Sequence, residues 1–211
     1  MVNDVAGYVL PTLRATPPAI LSRMSLTARP TAADALRLAQ RRFLAAERID
    51  MSALAEELGV NRVTLYRWFG SRDSFLVEVI WSLARQTLAL AEADVAEQGA
   101  ERIVRVVSGF LGIVIENGGM QRWLGEEGEH SMRLLTRHET DFQPRLIRAI
   151  QDRLEAEAAA GRLDLPVDLH ELAYVIVRLI ESYTYLDLIT GERPDASRAE
   201  PILRMLLRVD A

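Results

Sequence analysis

The chain contains no cysteine, and its 25 basic residues are all arginine. Without cysteine there is no disulfide, no thiolate nucleophile and no thiolate-bound metal. Without lysine, Schiff-base chemistry, pyridoxal phosphate anchoring and a P-loop lysine are excluded. No apolar stretch approaches the roughly 20 residues of a membrane span, because Arg102, Arg105, Arg178 and Glu181 interrupt the greasiest segments. No membrane association is expected. The first thirty residues hold no basic cluster followed by an apolar run and a small-residue cleavage site, so a cytoplasmic location is the expectation. The three histidines, His130, His138 and His170, show no metal-ligand spacing. His170-Glu171 lacks the second histidine of a zinc-binding helix, whose place Tyr174 takes. No metal and no cofactor are therefore expected. A carboxylate-only enzyme is the catalytic reading that remains, but acidic runs such as Glu126-Glu127-Gly128-Glu129 read as solvated surface.

What is present is ample apolar content, 49% of 211 residues, enough for one compact domain and a small second one. The net charge of −5 is unevenly spread. Through Phe75 there are ten arginines against seven acidic residues, and from Leu76 on fifteen against twenty-three. A basic end on an acidic body suits a protein that presents one face to a polyanion.

The periodicity is helical throughout, and no strand, hairpin or internal repeat is evident. Residues 1–30, with Pro11, Pro17, Pro18 and Pro30, read as an arm or linker. Thr31 caps a first helix reaching about Glu47, and Asp50 a second whose stripe is Met51, Leu54, Ala55 and Leu58. Gly59 supplies a left-handed corner. Asn61 then caps a third helix that turns Leu65 and Phe69 inward and ends at Gly70, and Ser71 caps a long fourth. Further helices follow: one from Gly99 to the Gly118-Gly119 pair, one from His130 to Gly161 kinked at Pro144, one from Asp168 to Gly191, and one from about Ser197. The fold class is all-α, with a helix-turn-helix unit over 31–76 and a helical body over 77–211.

Two short helices around the Gly59-Val60 corner, the second studded with arginine, make a helix-turn-helix. Helices this short need apolar partners from the first and fourth helices, which leaves the outer face of the third open to a DNA major groove. Arginine there can bond guanine and asparagine adenine, while arginine, tyrosine and threonine hold phosphates. The rival reading is a helical protein-interaction module without specific DNA binding.

The run from Ile49 to Asp73, with Ala55, the Gly59-Val60 corner, Thr64-Leu65-Tyr66, Phe69 and Ser71-Arg72-Asp73, resembles the TetR/AcrR signature. The similarity covers about Ala32 to Ile80. It implies a dimeric, ligand-responsive repressor on a palindromic double-stranded operator. Arg62, Val63 and Tyr66 would approach base edges, and Thr64, Tyr66 and Arg72 would hold phosphates. Ser52, Asn61 and Arg67 complete the implied DNA-binding set. Asp50 and Met51 stand where many members carry threonine, and Val63 replaces a commonly small residue.

The resemblance also places a homodimer interface on the last two helices, and the stripe from Leu172 to Ile189 with Ile202, Leu206 and Leu207 is the segment that would supply it; ordinary core is the alternative. Phe110, Trp123, Leu135, Phe142, Tyr174, Arg178 and Tyr183 mix aromatic walls with polar groups and are the effector-pocket candidates. Arg178 and Glu181, three apart in an apolar helix, either pair locally, the favoured reading, or anchor a polar ligand. The run Arg178–Tyr183 through Gly191–Asp195 is similar to a QsdR-like subgroup of quorum-signal lactone-degradation regulators, which implies a small, lactone-like effector.

Overall fold

Capping side chains fix where the first four helices begin. A computed structural model describes residues 29–209; the arm expected over 1–30 lies almost wholly outside them. Among the described residues there are ten α-helices and two 3₁₀ turns: α1 Ala32–Leu44, α2 Met51–Leu58, α3 Arg62–Phe69, α4 Arg72–Ala93, α5 Gly99–Glu116, α6 Gly118–Thr136, α7 Phe142–Ala159, α8 Leu169–Thr184, α9 Leu186–Thr190 and α10 Glu200–Leu207. Thr31 and Asp34 form a reciprocal capping box on α1. Asp50 accepts from the Ser52 and Ala53 amides, Asn61 from Val63 and Ser71 from Ser74. Gly59 is left-handed at φ 65°, and its amide turns back onto the end of α2.

The head, α1 to α3 with the start of α4, closes around Leu38, Leu54, Leu65 and Phe75, all buried, with Phe69 tilted against Phe75 at 4.6 Å. By length and apolarity alone α4 could cross a bilayer; here it is a core helix packed on α1 and α5. It runs unbroken from the head into the body. There α7 and α8 pack most extensively together, and α5 lies centrally against α4, α8 and α10.

Four local expectations are corrected. The first helix stops at Leu44 rather than Glu47, because Ala46 takes φ 55°. The Gly118-Gly119 pair opens a helix rather than only ending one: Asn117 caps α6 by accepting from Met120, and α6 turns off α5 by 65°. Pro144 does not kink a helix; it sits in the first turn of α7, where a missing N–H costs no helical bond. The break lies before it, at a 3₁₀ turn and at Asp141, φ 58°. The segment from Asp168 to Gly191 is two helices, divided at Tyr185.

Candidate nucleic-acid interface and effector cavity

α3 presents Asn61, Arg62, Val63 and Arg67 to solvent, with Val63 70% exposed, while Leu65 alone on this helix is fully buried. Arg62 and Tyr66, one turn apart, act as a unit: Nη2 donates to the Tyr66 hydroxyl at 2.9 Å and the guanidinium lies 5.3 Å from the ring centroid. Thr64 and Tyr66 are half-buried, and Ser52 is exposed in the first turn of α2. The Asn61 carbonyl oxygen is committed to its cap, leaving its amide NH₂ as the group that faces outward chemistry. Met51 is buried, and the Asp50 carboxylate, held below its usual range chiefly by the Ala53 amide, is committed to α2. Neither takes the outward place a threonine would have offered.

Arg72 differs from the rest of the implied set. It is engaged by Glu127 of α6 through both terminal nitrogens, Nη2 to Oε1 at 2.6 Å and Nη1 to Oε2 at 3.1 Å. Glu127, read from sequence as solvated surface, is 19% exposed at its side chain. Other contacts also join α6 to the head. Arg122 donates to the Ala46 carbonyl, His130 approaches Asp73 at 3.2 Å, and Trp123 meets Phe43 edge-on at 6.1 Å.

An apolar cavity, narrow and partly open to solvent, lies between α1, α4, α5, α6, α7 and α8. Of the seven effector-pocket candidates, Phe110, Leu135 and Phe142 line it. Trp123, Tyr174, Arg178 and Tyr183 do not. Trp123 is spent on the α1–α6 junction, Tyr174 is 43% exposed with Arg178 stacked over it at 5.1 Å, and the Tyr183 hydroxyl donates to the Arg198 carbonyl. Helical periodicity places an aromatic on a face but not on the face that meets a void. The residues that sequence reasoning missed include Phe43 and Leu44 from the head, Met120, and the polar trio Glu181, Thr184 and Tyr185. The signal available was the i, i+4 spacing of Glu181 and Tyr185 in an apolar helix.

The polar end of the cavity is defined. Arg178 pairs with Glu181 at 3.0 Å, and Gln143 donates to the same carboxylate at 2.7 Å. Burial pushes the Glu181 carboxyl upward, with Arg178 and Gln143 opposing it. Burial, reinforced by Glu181, pushes the Tyr185 phenol up, so it stays a neutral donor. No three His, Asp or Glu side chains among the described residues could hold a metal.

Residues 98–208, more than half of the chain, match the family described as tetracyclin repressor-like, C-terminal domain. The chain belongs to the TetR family. Like other TetR members it is a DNA-binding transcriptional regulator of the repressor class, not an enzyme. It is similar to the R. erythropolis transcriptional repressor QsdR, with 28% identity and a TM-score of 0.77 over 86% of this chain and 98% of that one. It is 23% identical over 166 residues to the uncharacterized HTH-type transcriptional regulator YdgC of Bacillus subtilis (strain 168), covering 74% of this chain and 80% of the relative. The fold is shared with Bacillus subtilis FadR, solved in complex with stearoyl-CoA, at 13% identity and a TM-score of 0.57 over 86% of this chain and all of that one. The TetR architecture therefore frames both sites: a reading head built on α3 and a cavity in the helical body.

Proposed function

We propose that this TetR-family protein is a cytoplasmic repressor that binds a palindromic operator as a homodimer and releases it when a small, largely apolar, lactone-like effector fills the cavity. The observation that carries the reading is that the cavity wall includes Phe43 and Leu44 of α1, so its occupant touches the DNA-reading head directly. Swelling there would shift the two heads away from the half-site spacing of about 34 to 36 Å that two-fold recognition needs.

Arg62, Val63, Tyr66 and Arg67 are the proposed base-reading and phosphate-holding groups, supported by the exposure of Arg62, Val63 and Arg67 on one short helix and by the bond of the half-buried Tyr66 to Arg62. Ser52, Asn61 and Thr64 flank them. The lactone class is supported by the Tyr185 hydroxyl, a neutral donor suited to a ring carbonyl, and by cavity walls suited to an alkyl chain. The exposed apolar residues Tyr174, Val175, Ile202 and Met205 of α8 and α10 are the proposed dimer surface.

A gel-shift titration on DNA flanking the protein's own coding region, with and without γ-lactones, tests the reading. Selective, salt-sensitive binding that a lactone releases is expected. Alanine at Arg62 and Tyr66 should abolish it at unchanged helical circular dichroism, since a good base contact contributes about 1–3 kcal/mol. Binding without release would discard the lactone, and the absence of selective binding would discard operator recognition.

A further inference from the structure

The Arg72–Glu127 pair joins two parts of the protein that otherwise serve different tasks. Arg72 is the first residue of α4, three positions beyond the end of α3, in the turn capped by Ser71. It therefore lies at the reading end of the molecule, at a helix N-terminus whose dipole favours anions. Glu127 lies in α6, between Met120 and Leu135, which line the cavity.

The backbone is arranged to deliver Glu127. It departs from helical geometry at this residue, φ −123° and ψ 25°, and the bend is held by the Ser131 hydroxyl, 3.0 Å from both the Glu127 and the Gly128 carbonyl oxygens. Beyond the bend Gly128 fits beneath Leu188, where a Cβ would come within 2.9 Å of that side chain. The carboxylate then meets the guanidinium end-on, both oxygens on both terminal nitrogens, the same fork that two phosphate oxygens would occupy. The two side chains keep 30% and 19% exposure, so the pair is one that can be exchanged for another anion.

We infer that Glu127 is an internal stand-in for a DNA phosphate: it occupies Arg72 in the unbound protein and is displaced when the operator binds. This rests on the operator-binding reading above. Arg72 is then a phosphate contact that must first be released, and Glu127 is a positioning residue that sets how readily the release occurs. Because α6 also walls the cavity, an effector that moves α6 acts on the same pair.

Operator affinity measured across a salt series for the wild type, Glu127→Gln, Arg72→Gln and the double variant decides this. Glu127→Gln should bind tighter, by up to about fivefold per protomer, the upper end of what a solvent-accessible ion pair contributes. Arg72→Gln should bind more weakly and flatten the dependence of log K on log salt by about 0.9 per protomer. In the Arg72→Gln background the gain from Glu127→Gln should vanish. An unchanged or weakened affinity for Glu127→Gln, or a gain that persists without Arg72, overturns the inference. So does an unaltered salt slope for Arg72→Gln, a result that stands even if Glu127→Gln fails to fold. A wild type without salt-dependent selective binding would instead overturn the operator reading itself, and the inference with it.

Discussion

At the scale of single residues, the charges that matter are those the fold has removed from water. Glu157 of α7 is the clearest. It is buried, accepts the Gly99 amide at 2.8 Å and Arg162 Nε at 2.6 Å, and lies 3.6 Å from Arg102. Arg162 first, then the Gly99 amide, hold its carboxyl below the ordinary range against the cost of burial. Gly99 itself is left-handed, φ 63°, and a Cβ there would come within 2.5 Å of the Arg162 carbonyl oxygen. Glu157→Ala leaves the buried Gly99 amide without its acceptor, while Arg102 keeps the Val95 carbonyl and Arg162 turns to water, and is expected to cost about 1–3 kcal/mol in urea unfolding, the penalty of one unsatisfied buried amide. Glu157 reads in the sequence as one more acid in an Ala-Glu run, since nothing local marks Gly99, 58 positions away, whose amide it accepts. Asn61, Asp50 and Ser71 are the opposite case. A cap bonds amides two or three residues on, so residue type and spacing were enough to place them.

At the scale of the element, α6 is the piece that couples body to head, and its first turn explains how. Gly119 lies so close to α1 that a Cβ would fall 1.9 Å from the Phe43 carbonyl oxygen and 2.8 Å from its carbon. No side-chain rotation relieves a clash with backbone, so Gly119→Ala must push α6 from α1. The expected outcome is a folded protein with near-native helical circular dichroism, operator affinity reduced at least tenfold, the factor that about 1.4 kcal/mol represents, and weakened effector response. Native affinity in a gel shift would show that the α1–α6 approach does not set head position. The sequence signals a glycine pair here and reads it as a helix stop. Glycine at a helix start that another helix crosses has the same local appearance, and only the approach of α1 separates the two.

At the scale of the whole molecule, two properties follow from surfaces and charges taken together. The apolar stripe read as a dimer face divides in the structure: Leu172, Ile176, Ile180 and Leu207 are core of this chain, whereas Tyr174, Val175 and Ile202 face outward, joined by Met205, which lay outside the stripe and is 72% exposed. Met205→Glu is expected to yield a folded monomer by light scattering and to lose tight operator binding; a dimer that persists would move the interface off α10. Acid should destabilise the protein. Glu101, Glu127 and Glu157 have folded values lowered first by arginine hydrogen bonds, so the stability they supply is present above the ordinary carboxylate range and is lost as pH falls through their depressed values. Glu181, raised by burial, has the opposite sign: its contribution is present at low pH and lost as pH rises through its folded value. With Asp34, Asp50 and Asp195 lowered as well, the depressed carboxylates outnumber the one raised, so the thermal midpoint should fall from about pH 7 to about pH 4, and a midpoint that rises would contradict the balance. The sequence by itself determined the all-α class, the four caps of the head, the Gly59 corner and the outward residues of α3, because each depends on contacts within a few positions or on helical period. Tertiary structure alone decided which aromatics meet the cavity, which apolar face of α8 is left uncovered and that Glu127 holds Arg72. Those outcomes depend on which surfaces of separate helices come together, and helical periodicity carries no record of the neighbour.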